Sequence, residues 1–172
     1  IEVFGGAGWV LFRKPPGYDF EVFNDLDGNL VNLYRCVREQ PQQLKEEIRY
    51  LLNSRLDFEH MKRLLHERAA LPDVKRGAYY YALIRYSYAA GTTTYGGQPH
   101  AMWNDFPLID AAANRLQKVV VENKDCVKLI RQYDRPGSFF YCDPPYYNAD
   151  QYYASVPADG FDHKRLAETL YG

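Results

Sequence analysis

The chain has 172 residues, 47% of them hydrophobic and 25% charged, with a net charge of -1 at neutral pH. That length suits one domain, or a core with a smaller insert, and the balance suits a globular protein. It excludes a polycation that would bind nucleic acid over its whole surface, and with no apolar run of about 18 residues it predicts no membrane span. Cys36, Cys126 and Cys142 lack C-x-x-C spacing and sit in apolar settings, so they are expected as reduced thiols of a cytoplasmic protein, with no metal site. The sequence opens at Ile1 inside what reads as a strand. No signal peptide is expected, and the fold is expected to be incomplete at both ends.

Ile1 to Phe4 reads as a short strand that runs into Gly5-Gly6-Ala7-Gly8. Gly6 and Gly8 allow a sharp turn and a close backbone approach to a ligand, which a Cβ would obstruct. The loop lacks the third glycine of the dinucleotide fingerprint and the Lys-Ser/Thr of a P-loop, so by itself it specifies no ligand. Asp19 to Asn24 alternates as a second strand, Asp25 stands at its tip, and Leu30, Leu33, Tyr34 and Val37 mark an amphipathic helix over Asp27 to Gln40. An acid about 20 residues beyond a glycine loop is placed to accept from two ribose hydroxyls. Its other available role is capping the helix, with Asp27 as competitor. Together the glycine loop and Asp25 point to an adenosine-containing cofactor.

Pro41 to Arg68 is helical in pattern, with Leu44, Ile48, Leu51 and Leu52 on one face and Phe58, Met61, Leu64 and Leu65 forming another. Pro72 and Gly77 bracket a predicted basic turn, Asp73-Val74-Lys75-Arg76. From Met61 to Ala90 six Lys or Arg face two carboxylates, a local charge of +4, so contact with a polyanion would be local. Tyr79, Tyr80, Tyr81, Tyr86 and Tyr88 lead into a polar loop, Gly91 to His100, which is either functional or a plain surface connection. Side chains of this kind can bond to base edges or phosphates, and tyrosine can stack on bases. Pro107 to Lys118 reads as a helix from Leu108, Ala111, Ala112 and Leu116, and Val119 to Glu122 as a strand. Asn123-Lys124-Asp125 closes that strand and opens another helix with Val127 and Ile130. Asp125 therefore repeats the position of Asp25, as a cleft acid or as an N-cap.

The most informative stretch is Ser138 to Tyr147, SFFYCDPPYY. Ser138 to Cys142 follows the turn signal Arg135-Pro136-Gly137 and is predicted as a buried strand that ends at Asp143-Pro144-Pro145-Tyr146. Two prolines cannot continue a central ladder, so a carboxylate and a ring are held on stiff backbone. A planar group stacked on Tyr146 could present an exocyclic amine to Asp143 and to the Pro144 carbonyl; the plainer alternative is a loop exit with a capping Asp. Tyr152 and Tyr153 follow, and Asp162 or His163 is expected to open a last helix with Leu166 and Leu170.

These motifs, in this order, resemble the Dam-type family of DNA adenine-N6 methyltransferases. Glu2-Val3-Phe4-Gly5-Gly6-Ala7-Gly8 is similar to its cofactor loop, with Val3 in place of the usual proline, and Asn24-Asp25-Leu26-Asp27 to its ribose-binding motif. Glu122 to Asp125 is similar to the segment near the cofactor's adenine, Asp143-Pro144-Pro145-Tyr146 to the catalytic tetrapeptide, and Tyr86 to His100 to the target-recognition insert. The resemblance implies an α/β protein with a Rossmann-like methyltransferase core from residues 1–40 and 107–172, and a mostly helical target-recognition insert from 41–106. It implies S-adenosyl-L-methionine held by Phe4, Gly6, Gly8, Asp25 and Asp125, and catalysis by Asp143, Pro144 and Tyr146 on an adenine flipped out of double-stranded DNA. Arg85, Tyr95, Gln98 and His100 would contact the DNA. Restriction-modification is one setting that the resemblance implies. The same tetrapeptide chemistry could act on cytosine N4, RNA adenine or a protein amide, and a binding module without turnover is the reading from another class.

Overall fold

Val119 to Glu122 and Glu21 to Asn24 are short runs of β-branched and aromatic residues, and in the computed structural model they pair side by side as parallel strands, β2 (Val119–Glu122) and β1 (Glu21–Asn24). The register sets Glu21 opposite Val119 and Asn24 opposite Glu122. The structure describes residues 1–17, 20–147 and 160–171, so Asp19, Tyr152 and Tyr153 lie outside the described residues. Glu2 bridges Phe23 of β1 on one side and Tyr141 on the other, both in parallel sense. The bridges are closed by Glu2 N–H to the Val22 carbonyl at 2.8 Å, Val3 N–H to the Tyr141 carbonyl at 3.0 Å and Tyr141 N–H to the Ile1 carbonyl at 2.8 Å. Four parallel chain segments thus lie in the order β2, β1, Glu2, Tyr141.

The chain divides into two units, residues 1–31 with 118–172 and residues 32–117. In the first, α1 (Trp9–Arg13) follows the glycine loop, α7 (Cys126–Tyr133) follows β2, and α8 (His163–Tyr171) packs on α7. Val3, Val22, Val127, Leu129, Ile130 and Leu166 form its buried core. The segment 138–142 departs from the buried strand expected of it. Phe140 and Cys142 pack against the core, whereas Phe139 is 76% exposed and Tyr141 39%. Side chains alternate between faces along extended backbone, and among the described residues only one face is covered.

The second unit is helical. The chain enters it along α2 (Gly28–Glu39), followed by α3 (Pro41–Arg49), α4 (Arg55–His66), α5 (Asp73–Tyr86) and α6 (Phe106–Leu116). α5 packs on α3 and α4, and α3 also packs on α6. The basic turn expected at 72–77 is not formed. Pro72 precedes α5, where its missing N–H costs no helical bond, and Gly77 lies buried inside the helix. A Cβ there would sit 3.4 Å from Cys36 Sγ and 3.5 Å from Asn32 Nδ2, so this glycine serves a close approach to α2 instead of a turn.

Two expected apolar faces are shifted. α3 stops at Arg49, which buries Leu44 and Ile48 but leaves Leu52 exposed, and Ser54 then caps α4 by accepting from Asp57 N–H. In α6 the buried stripe is Ile109, Ala113 and Leu116, and Leu108 is exposed, because apolar residues at both 108 and 109 allow two neighbouring stripes and the one through Ile109 is covered. Cys36 and Cys126 are buried and Cys142 half-buried, all as free thiols. Among the described residues no helix is long and apolar enough to cross a membrane.

Candidate active site

The glycine loop turns where the sequence requires it. Gly6 and Gly8 have φ of +48° and +69°, a region that side chains with a Cβ rarely adopt, and Gly8 N–H closes the turn onto the Gly5 carbonyl at 2.8 Å. Gly5 has a separate reason. A Cβ there would meet the Phe23 ring at 2.3 Å and the Asn24 carbonyl at 2.9 Å. Glu2, buried beneath the loop, accepts from Leu11 N–H at 3.1 Å and so holds the start of α1. Burial pushes its carboxyl up to about 6, against the opposing pull of the Leu11 amide.

Asp25 leaves the tip of β1 and is held by two backbone amides. Its Oδ2 accepts from Gly6 N–H and its Oδ1 from Asp27 N–H, both at 2.8 Å. Burial raises its pKa despite those bonds. Asp27 takes the competing role, accepting from Asn29 N–H at 2.8 Å at the start of α2. Asp25 therefore ties the glycine loop to β1 while keeping unused lone pairs.

Two asparagines hold this arrangement together; both fall within motifs of the resemblance, but no local signal reveals their bracing role. Asn24, 1% exposed, donates to the Val3 and Lys124 carbonyls at 2.9 and 3.0 Å and accepts from Lys124 N–H at 2.8 Å. Asn123 donates to the Asp25 and Leu26 carbonyls at 2.7 and 3.0 Å. The ends of three neighbouring segments are thus locked by side-chain amides, each of which can both donate and accept.

Asp125 does cap α7, accepting from Lys128 N–H at 3.3 Å. It also lines a cavity of about 170 Å³ with Val3, Phe4, Leu26, Phe161 and Arg165. That volume is small beside the ~300–1,000 Å³ of drug-sized sites and suits one ring system with part of its substituent. Phe4 and Phe161 meet edge to face across it, with centroids 5.5 Å apart. Capping and lining the cavity coexist in one residue, so the two roles open at Asp125 are compatible.

The Asp143 to Tyr146 tetrapeptide begins two residues beyond the Tyr141 bridge. Asp143 is exposed, Pro144 and Pro145 are half-buried, and Tyr146 is 63% exposed. Glu2 and Tyr141 are paired in parallel, so Phe4 with the glycine loop and Asp143 with its prolines leave the same end of adjacent segments. Residues 1–171 match the family model described as D12 class N6 adenine-specific DNA methyltransferase. The chain belongs to this family. A D12 class enzyme methylates adenine N6 in DNA.

The methyltransferase residues expected to meet DNA fall in the helical unit, where Arg85 and His100 gather on Asp105 while Tyr95 and Gln98 meet Asn53. Asp105, 5% exposed, lies at the centre. It accepts from the Tyr81 hydroxyl at 2.9 Å and from the Arg85 guanidinium at 3.1 Å, and His100 Nε2 lies 2.8 Å from it. Arg85 Nε in turn lies 3.2 Å from His100 Nε2. Tyr95 donates to Asn53 Oδ1 at 2.8 Å, packs against Phe58 and lies beneath the Arg55 guanidinium. Gln98 accepts from Asn53 through its backbone carbonyl at 3.0 Å, and its residue is exposed. Asp105 and Asn53 belong to no motif; an isolated acid between Trp103 and Phe106 is the signal the sequence offers.

Proposed function

We propose that residues 1–31 and 118–172 form a Rossmann-like core that holds S-adenosyl-L-methionine and methylates the N6 amino group of a flipped adenine in double-stranded DNA. The observation that carries this reading is the segment order. Numbered along the chain as Glu2, β1, β2 and Tyr141, the parallel segments lie in the order three, two, one, four. Rossmann-like sheets share that order, and their ligands gather at the carboxyl ends of the strands, where it reverses. The reversal here falls between Glu2 and Tyr141, whose following residues are the glycine loop and Asp143-Pro144-Pro145-Tyr146.

The donor set fits the cofactor. Asp25 has acceptor capacity left after its two amide bonds, as two ribose hydroxyls require. Around Gly6 a Cβ would find nothing within 4 Å, so the backbone is approachable there. Phe4 and Asp125 offer an apolar wall and an acceptor to a purine. When bound, S-adenosyl-L-methionine supplies an electrophilic methyl group.

The chain's own task is the nucleophile. The lone pair of adenine N6 is delocalised into the ring, which makes it a weak nucleophile. Hydrogen bonds from that amine to Asp143 and to the Pro144 carbonyl favour a more tetrahedral nitrogen and stabilise positive charge as it forms. Tyr146, projecting from the stiff diproline, provides a stacking face for a base extruded from the duplex. Residues 32–117 serve as the recognition insert, in which Arg85 at the end of α5 and Gln98 in the following loop present polar atoms to DNA while Tyr95 and His100 hold that loop.

The test is methyl transfer from labelled S-adenosyl-L-methionine to unmethylated duplex DNA, followed by nucleoside digestion. Wild type is expected to yield N6-methyladenine. Asp143→Ala is expected to lose ~10²-fold or more of the rate, as for other preorganised groups, with cofactor affinity retained. Equal rates in the two proteins would overturn the assignment, and N4-methylcytosine would move it to another base.

A further inference from the structure

We propose that Arg165 is a positioning residue for the cofactor's adenine, fixing the Asp125 carboxylate so that it selects a 6-amino purine. The inference rests on the reading of Asp125 given above. Arg165 lies in the first turn of α8, and its NH1 and NH2 reach Asp125 Oδ2 and Oδ1 at 2.9 and 2.7 Å. Lys128 N–H approaches Oδ1 from the α7 side. The two-armed guanidinium of one helix and a backbone amide of another therefore hold both oxygens of the carboxylate. Both side chains line the cavity that also contains Phe4 and Phe161.

Arg165 is itself constrained, since its backbone N–H is accepted by Asp162 Oδ1 at 2.8 Å at the start of α8. A fork anchored on one helix thus sets the rotation of a carboxylate anchored on another. Stability alone is a weak reason for the pair. Its side chains are 48% and 28% exposed, and exposed ion pairs contribute little to stability. Orientation is the property that a bidentate arginine supplies and a lysine does not.

A carboxylate fixed as an acceptor favours an exocyclic amine and repels a 6-oxo group. Calorimetry should compare S-adenosylhomocysteine with its hypoxanthine analogue, binding to the whole chain as wild type, Arg165→Met, Arg165→Lys and Asp125→Asn. Wild type is expected to prefer adenine ~10- to 100-fold, the range for a hydrogen bond to a charged group. Arg165→Met should reduce that preference at least ~3-fold through weaker adenine binding, with affinity for the 6-oxo analogue unchanged. Arg165→Lys, which keeps the charge but loses the fork, should be similarly impaired and carries the test should the methionine variant fold poorly.

Asp125→Asn should lose or invert the preference, because an amide can donate to the 6-oxo group. Wild-type selectivity in both arginine variants, with Asp125→Asn impaired, would reduce Arg165 to a tie between α7 and α8 and overturn the proposal. Wild-type selectivity in Asp125→Asn would instead remove the reading of Asp125, and the proposal with it.

Discussion

Two carboxylates of one unit and one of the other are handled in opposite ways. Asp25 and Glu2, in the unit built around the parallel segments, are held by backbone amides: Gly6 and Asp27 for the first, Leu11 for the second. Asp105, in the helical unit, is enclosed by the side chains of Tyr81, Arg85 and His100. Backbone amides come with fixed direction and leave lone pairs for a ligand, whereas a cluster of side chains consumes the acceptor and rigidifies its neighbours. Asp25 keeps acceptor capacity, whereas Asp105 is spent on bracing its neighbours.

The sharpest break of that contrast is Asn24→Ala. Asn24 lies on the same strand ends as Asp25 but spends its whole amide on the protein, and its loss strands the Val3 and Lys124 carbonyls and the Lys124 amide. Buried unpaired groups cost ~1–3 kcal/mol each before relaxation, so a loss of ~3 kcal/mol in denaturant unfolding is expected, together with weakened cofactor binding. Stability within ~0.5 kcal/mol of wild type would mean that the strand ends are held without it.

Glu2 offers a pH-resolved version. Its carboxyl is pushed up to about 6 from an ordinary 4.5, so the folded protein binds that proton more tightly than the unfolded chain. The group's contribution to stability therefore falls as pH rises from about 4.5 to about 6, by ~2 kcal/mol. Glu2→Gln keeps an oxygen for Leu11 N–H and should flatten this part of the stability profile relative to wild type. An unchanged slope would show that another group carries it.

The same contrast explains what could be read from the sequence. β2, α7 and the strand-end places of Asp25 and Asp125 follow from period and spacing, which depend on neighbours in the chain. Gly77 read as a turn because no local signal reveals that Cys36 and Asn32 press against it. Leu108 read as core because apolar residues at both 108 and 109 allow two neighbouring stripes, and spacing alone does not say which is covered. Phe139 and Tyr141 read as buried because aromatic character does not say whether the second face of a segment is covered. Arg165 reaches Asp125 from 40 residues away, and such pairs have no local signature.

Asp105→Ala tests the bracing role directly. Burial, followed by the neighbouring Asp105 carboxylate, pushes the Tyr81 phenol well above its ordinary pKa, a direction that depends on the carboxylate being there. Its removal should cost ~2 kcal/mol, less than Asn24→Ala because Arg85 and His100 can turn partly to water. Spectroscopic titration of the tyrosines should then show one phenol moving down toward the ordinary range. No movement would mean that burial alone sets it.

Tyr95→Phe is the smallest perturbation and separates bracing from reading at a single oxygen. The hydroxyl bonds to Asn53, while the ring's contacts with Phe58 and Arg55 survive the substitution. Loss of one hydrogen bond should lower stability by ~1 kcal/mol. Asn53 also holds the Gln98 carbonyl, so the loop loosens at that point without losing any side chain able to meet a base. Target-DNA affinity should change less than ~3-fold, with the ranking of DNA sequences preserved. Unchanged stability with altered sequence preference would instead make the Tyr95 hydroxyl a reader of bases, and this loop would then belong with the strand-end acids as a surface kept open for a ligand.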